Sequence, residues 1–113
     1  MKKYIELQNK TINATHLRVD IDYNIGQYNY FTHQNERRGY YISVSPVAYS
    51  NNNGIITESY AAFTGVKYLL KEVTRKSTKA EKEAESIAAQ IEKNLIEYVC
   101  NKNNLSIMED GTK

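Results

Sequence analysis

The sequence predicts an α+β fold: an antiparallel sheet of three to four strands with a long C-terminal helix packed on one face. Three observations carry this. Leu17, Val19, Ile21 and Tyr23 alternate with Arg18, Asp20 and Asp22, the period-two pattern of a strand with one buried face. Asn53-Gly54 separates two strand-like runs, which is the strongest short hairpin signal. Ala80, Ala84, Ile87, Ile91, Leu95 and Tyr98 recur at helical spacing, with Ala88 and Val99 widening the stripe.

In chain order, Tyr4, Ile5 and Leu7 predict a short first strand, and Gln8 to Thr15 reads as a polar turn. The alternating strand follows. Asn24 to Gly39 has no single period over its length, and Gly26 is placed to supply a positive φ. A loop this long in a small domain is uncommon and often functional. The competing reading makes Tyr28, Tyr30 and Phe31 a short edge strand whose rings cap the core. Tyr40 to Tyr49 reads as a strand with Ile42 and Val44 on one face and Tyr41, Ser43 and Ser45 on the other. Pro46, lacking an N–H, is expected at an edge or a bulge. Ile55 to Phe63 is the returning strand, with Ile56, Tyr60 and Ala62 on one face.

Val66, Leu69, Leu70 and Val73 fit a short helix over Val66 to Thr74, while Val66, Tyr68 and Leu70 fit a strand. Thr78 with Glu81 makes a capping box, Ser77 being the other candidate cap, for a helix from about Lys79 to Lys102 that Asn103 and Asn104 stop. The expected organisation is one domain, 1–113: 1–63 mostly β, 66–74 short helix or strand, 78–102 helix, and 109–113 a frayed tail.

The 113 residues carry 15 basic and 13 acidic side chains, a net charge of +2. That balance supports neither a strongly basic nucleic-acid binder nor an acidic mimic of nucleic acid. Cys100 stands alone, so no internal disulfide is expected, which fits a reducing cytosol. No apolar run approaches the roughly 20 residues that cross a bilayer, and MKKYIELQNK lacks the apolar stretch of a signal peptide. The expected location is cytoplasmic, with no membrane contact.

The residue types of catalysis occur without their spacing. His16 and His33 have no second ligand at a metal-site interval, so no metal and no cofactor are expected. Cys100 reads as a buried structural thiol. Asp20 and Asp22 share the wet face of a strand, where solubility and edge protection explain them better than acid–base work between different elements. The expectation is a protein that is not an enzyme.

The remaining signal is Asp22 to Val47, which holds five of the ten tyrosines, two of the five glycines and the one proline. Tyr28, Tyr30, Phe31, Tyr40 and Tyr41 are interleaved with Arg37 and Arg38. These seven are the expected binding residues. Rings offer stacking faces to bases or contact area to a protein, and guanidinium groups offer forked donors to phosphate or carboxylate. The opposing reading puts half the rings in the core and leaves the arginines simply solvated.

Several short pieces occur in a particular order: YNIGQYNYF over 23–31, RGYY over 38–41, SPV over 45–47, AFTG over 62–65, then Arg75-Lys76-Ser77 with Ala80-Glu81. This order resembles a family of small, largely uncharacterised proteins encoded on phages, prophages and conjugative elements of Gram-positive gut bacteria. Its pattern is Y-x-x-G-G-x-N-Y-F, R-G-Y-Y, P-V, F-[ST]-G and a lysine-rich capped helix. Gln27 replaces the second glycine, so the loop is expected to turn differently here. The resemblance implies a non-enzymatic anti-defence protein of the anti-CRISPR type, bound to a bacterial defence protein such as a CRISPR effector. The alternative is a protein that binds a nucleotide signal or single-stranded nucleic acid, with Arg37, Arg38 and Lys67 on phosphate. A third option is a structural oligomer, and the sequence leaves monomer and homodimer open.

Overall fold

The computed structural model describes residues 2–30, 33–60 and 65–108 and, within them, all side chains except those of Asn29, Ser59 and Tyr60. The elements are β1 (Lys2–Glu6), β2 (His16–Asn24), β3 (Tyr28–Asn29), β4 (Gln34–Asn35), β5 (Gly39–Asn52), β6 (Ile55–Tyr60), β7 (Val66–Glu72) and α1 (Thr78–Asn103). β1, β2, β5, β6 and β7 form one antiparallel sheet, α1 packs on it, and β3 pairs with β4 in a separate two-stranded sheet. The α+β class read from the sequence is therefore the observed one.

The fifth strand of that sheet is β7, the segment left between helix and strand. Val66 to Thr74 is not a helix. Val66 pairs with Val44 and Tyr68 with Ile42, so the ladder of β5 supplies hydrogen bonds that a short isolated helix would have to supply itself.

β5 is long enough to use two partners on one edge. Gly39 to Val44 pairs with β7 and Val47 to Asn52 with β6, while β2 covers the other edge from Gly39 to Val47. Pro46 is thus in the middle strand, not at an edge or a bulge. The Val47 carbonyl accepts from Thr15 on the β2 side. One residue earlier, Pro46 turns its nitrogen to the opposite edge, into the interval between β7 and β6 where no ladder N–H is needed. The β5–β6 hairpin closes on Asn53 and Gly54, with φ of 55° and 87°, as Asn-Gly requires. β6 is described to Tyr60, and the expected continuation to Phe63, with Ala62, lies outside the described residues, as do Glu109 to Lys113.

One face of the sheet is dry. Leu17, Val19 and Ile21 of β2, Tyr40, Ile42 and Val44 of β5 and Leu70 of β7 are buried with Ala80, Ala84, Ala88, Ile96 and Val99 of α1. Burying each of the larger aliphatic side chains contributes about 1.5–3 kcal/mol. The stripe that faces the sheet is the expected one at Ala80, Ala84, Ala88 and Val99, with Ile96 buried in place of the expected Tyr98. The small row Ala80-Ala84-Ala88 points inward, Ile87, Ile91 and Leu95 flank it half-buried, and Tyr98 stays 49% exposed. Alanines let the helix axis approach the sheet, and larger neighbours fill the sides.

The helix cap also differs by one residue from the capping box at Thr78. Ser77 is the N-cap, extended at φ −157°, and its side chain accepts from the Ala80 N–H at 3.0 Å. Asn104 closes the other end in the left-handed region at φ 55°. Lys3–Glu92 at 2.7 Å and Lys71–Glu83 at 2.8 Å tie the helix to β1 and β7. Beyond it, the chain returns beside β1, where Met108 donates to the Glu6 carbonyl and Leu7 pairs with Ile107.

Candidate functional site

Among the described residues, no helix covers the second face of the sheet. Its side chains are those opposite the core positions: Arg18, Asp20 and Asp22 of β2, Tyr41, Ser43 and Ser45 of β5, Lys67 of β7. They line a cleft of about 450 Å³, rimmed by Ile25 and Gln27. This is within the range of ligand sites.

The face is less wet than its sequence suggests. β2 is an inner strand between β1 and β5, so edge protection does not explain its aspartates. Asp20 is only 8% exposed, and Arg18 bridges it at 2.9 Å to Glu58 at 3.3 Å. Tyr4 donates its hydroxyl to Glu58 at 2.7 Å, and that bond is the main reason its phenol is pushed up. Partial burial, a hydrogen bond to Asp20 and the charge of Asp20 push the Asp22 carboxyl up. Asp20, buried, and Asp22, exposed, thus form an interacting carboxyl pair among the residues that line the cleft.

Beside the cleft, β3 and β4 form a two-by-two hairpin, Tyr28 opposite Asn35 and Asn29 opposite Gln34. Its base is fixed by several bonds. Gly26, at φ +86°, donates to the Asn24 side chain at 2.8 Å, and a Cβ there would lie 3.0 Å from the Glu36 carbonyl oxygen. Glu36 N–H donates to the Gln27 carbonyl at 3.0 Å. Arg38 is held by carbonyls on two sides, Ile25 through Nε at 3.1 Å and Thr74 through Nη1 at 3.4 Å.

The seven expected binding residues divide. Tyr28 and Tyr30 stand out together, 43% and 80% exposed, with rings edge to face at 5.0 Å. Arg37 is 72% exposed and pairs with Glu72 at 3.3 Å. Arg38 is exposed but its donors close the loop base. Tyr41 is half-buried, donates to the Arg37 carbonyl at 2.7 Å and has the Lys67 ammonium 4.8 Å from its ring. Burial, then the charge of Glu36, pushes its phenol up.

Tyr40 is not part of the surface. It is 3% exposed on the helix side, because adjacent residues of a strand face opposite ways and Tyr41 takes the open side. Phe31 lies outside the described residues.

Sequence reasoning missed Glu36, Asn24 and the Arg18–Glu58 pair. Glu36 had a signal: it is the only acidic residue between Asn24 and Gly39. Arg18 and Glu58 had none, because their meeting depends on the register of three strands.

His16 packs edge to face beside the stacked rings of Tyr4 and Tyr49 and meets Thr15 Oγ1 at 2.7 Å, and burial pushes its imidazole down. Cys100 is buried, which pushes its thiol up. Among the described residues, no group of three or more His, Cys, Asp or Glu is arranged to hold a metal ion, and no helix is long and apolar enough to cross a membrane.

The fold and surface define an α+β protein with one helix-covered sheet face and one open polar face. In comparisons with known proteins, the chain matches no family model, no curated protein and no solved structure.

Proposed function

We propose that the chain is a non-enzymatic binding protein whose Tyr28–Tyr30 hairpin and flanking Arg37 dock on a protein partner. In line with the sequence resemblance, that partner is a bacterial defence effector of the CRISPR type, inhibited in the host cytoplasm. One observation carries the reading. Two tyrosine rings stand exposed in mutual contact on a hairpin whose base is tied by side-chain and backbone bonds. Tyrosine offers large contact area with few rotatable bonds, and a fixed loop loses little entropy on binding.

A nucleotide or single-strand ligand is less well supported. The three cations it would use are engaged: Arg37 with Glu72, Lys67 with Glu36, Arg38 with two carbonyls. Phosphate would have to displace carboxylates from two of them.

The test is co-elution of the purified protein with purified CRISPR effector complexes, repeated with Tyr30→Ala. A stable complex weakened at least about tenfold by the substitution is expected of an interface anchor. No complex at micromolar concentration with any effector tested refutes the reading. Binding to single-stranded DNA that falls steeply with salt instead supports the alternative.

A further inference from the structure

The open face carries a second relationship that determines how the hairpin is presented. Glu36 Oε1 accepts from Asn24 Nδ2 at 2.8 Å and from Lys67 Nζ at 3.0 Å. Asn24 ends β2 and Lys67 lies in β7, and these strands flank β5 on opposite edges. One carboxylate therefore spans the middle strand, on the side where Lys67 also covers the Tyr41 ring. The same Asn24 side chain accepts from Gly26 N–H, and the Glu36 N–H bonds to the Gln27 carbonyl. Gly26, Asn24, Glu36 and Lys67 form one continuous chain of hydrogen bonds across the neck of the hairpin.

We infer that Glu36 is the positioning residue of the recognition hairpin, clamping its neck to β2 and β7 so that Tyr28 and Tyr30 are held in one orientation before any partner arrives. Glu36 is suited to this because it acts through both its backbone and its side chain. Its carboxylate is largely covered, with the side chain 22% exposed, and it accepts from two donors at one oxygen. An exposed ion pair alone would do little. A charge-assisted bond to a neighbouring strand's amide, added to a backbone bond at the same residue, makes opening of the neck a cooperative event. The assignment rests on the proposed function only in calling the hairpin a recognition element. The clamp itself is tested without a partner.

The experiment is amide hydrogen exchange by NMR on the full chain, with Glu36→Ala and Glu36→Gln. In Glu36→Ala the backbone amides at positions 26 and 36 should exchange about tenfold faster, the effect of losing one charge-assisted bond on a local opening. Val19 and Ile42 amides in the sheet should be unchanged. Glu36→Gln keeps an oxygen for Asn24 and should retain part of the protection. Unchanged exchange at positions 26 and 36 in Glu36→Ala overturns the inference. So does equal acceleration at Val19 and Ile42, which marks a general loss of stability, and so does Glu36→Gln no better protected than Glu36→Ala. A protected neck in a protein that binds no effector would leave the clamp standing and remove the proposed function.

Discussion

The Tyr40 hydroxyl donates to the carbonyl of Ser77 and accepts from its N–H, both at 3.3 Å. Tyr40 belongs to the middle strand of the sheet and Ser77 is the residue that caps α1. The start of the helix is therefore pinned to the sheet by one phenol. Its ring also packs edge to face on Tyr23, at 5.3 Å.

Tyr40→Phe should keep the ring contact and lose both hydrogen bonds. The expected cost is about 1 kcal/mol, because Ser77 is exposed and water replaces the partner. Tyr40→Ala should cost about 3–5 kcal/mol through the cavity it leaves. Urea denaturation of the three proteins measures both, and a Tyr40→Ala loss below about 1 kcal/mol would place the ring outside the core.

The helix cap gives a sharper comparison. Ser77→Ala should lose about 1 kcal/mol, since the Ser77 hydroxyl accepts the Ala80 N–H. Thr78→Ala should change stability by no more than about 0.5 kcal/mol. Thermal unfolding of the pair decides between the two positions, and a larger loss at Thr78 would restore the capping box read from the sequence.

That one-residue shift shows where sequence reading stops. The strand over 16–24, the Asn-Gly hairpin and the terminal helix are legible because each has a period or a turn residue that acts locally. The 66–74 segment is not, because its apolar residues satisfy both periods and only pairing to β5 decides. Tyr28 stands in the short strand β3 and Tyr30 just beyond it, both exposed and not capping the core, whereas Tyr40 and Tyr41 are neighbours in sequence on opposite faces of one strand. Glu36 gains its meaning from Asn24 and Lys67, 12 and 31 residues away. No local pattern encodes such distances.

Gly39 is a close-approach position, and its substitution should be costly. A Cβ there would lie 2.2 Å from the Lys71 carbonyl oxygen and 2.9 Å from Glu72 Cα, both backbone atoms. β5 and β7 would have to part beside the register shift at Tyr40/Tyr41. Gly39→Ala is expected to destabilise by roughly 1–3 kcal/mol or more, as overpacking does. Denaturant unfolding checks it, and a neutral substitution would mean that the strands yield freely at this end.

Asp22 makes stability depend on pH in an unusual direction. Its carboxyl is raised above the ordinary 3.8 by partial burial and by Asp20, so the folded protein binds its proton more readily than the unfolded chain does. The resulting stabilisation is fully present below 3.8 and is lost as pH rises through the folded-state value, leaving an unfavourable charge at pH 7. Glu6 and Glu83 run the other way. Lys10 and Lys71 hold them below the ordinary 4.5, and their contribution is lost as pH falls. The wild-type profile mixes these effects, so the informative quantity is the difference from Asp22→Asn, which removes the charge and keeps the shape. The variant should have the higher Tm at pH 7, and the gap should close as pH is lowered through the folded-state pKa of Asp22. A lower Tm for the variant at pH 7 would mean that the Asp22 charge is compensated in the fold, with Arg18, whose charge acts to lower the Asp22 pKa, as the candidate on the sheet.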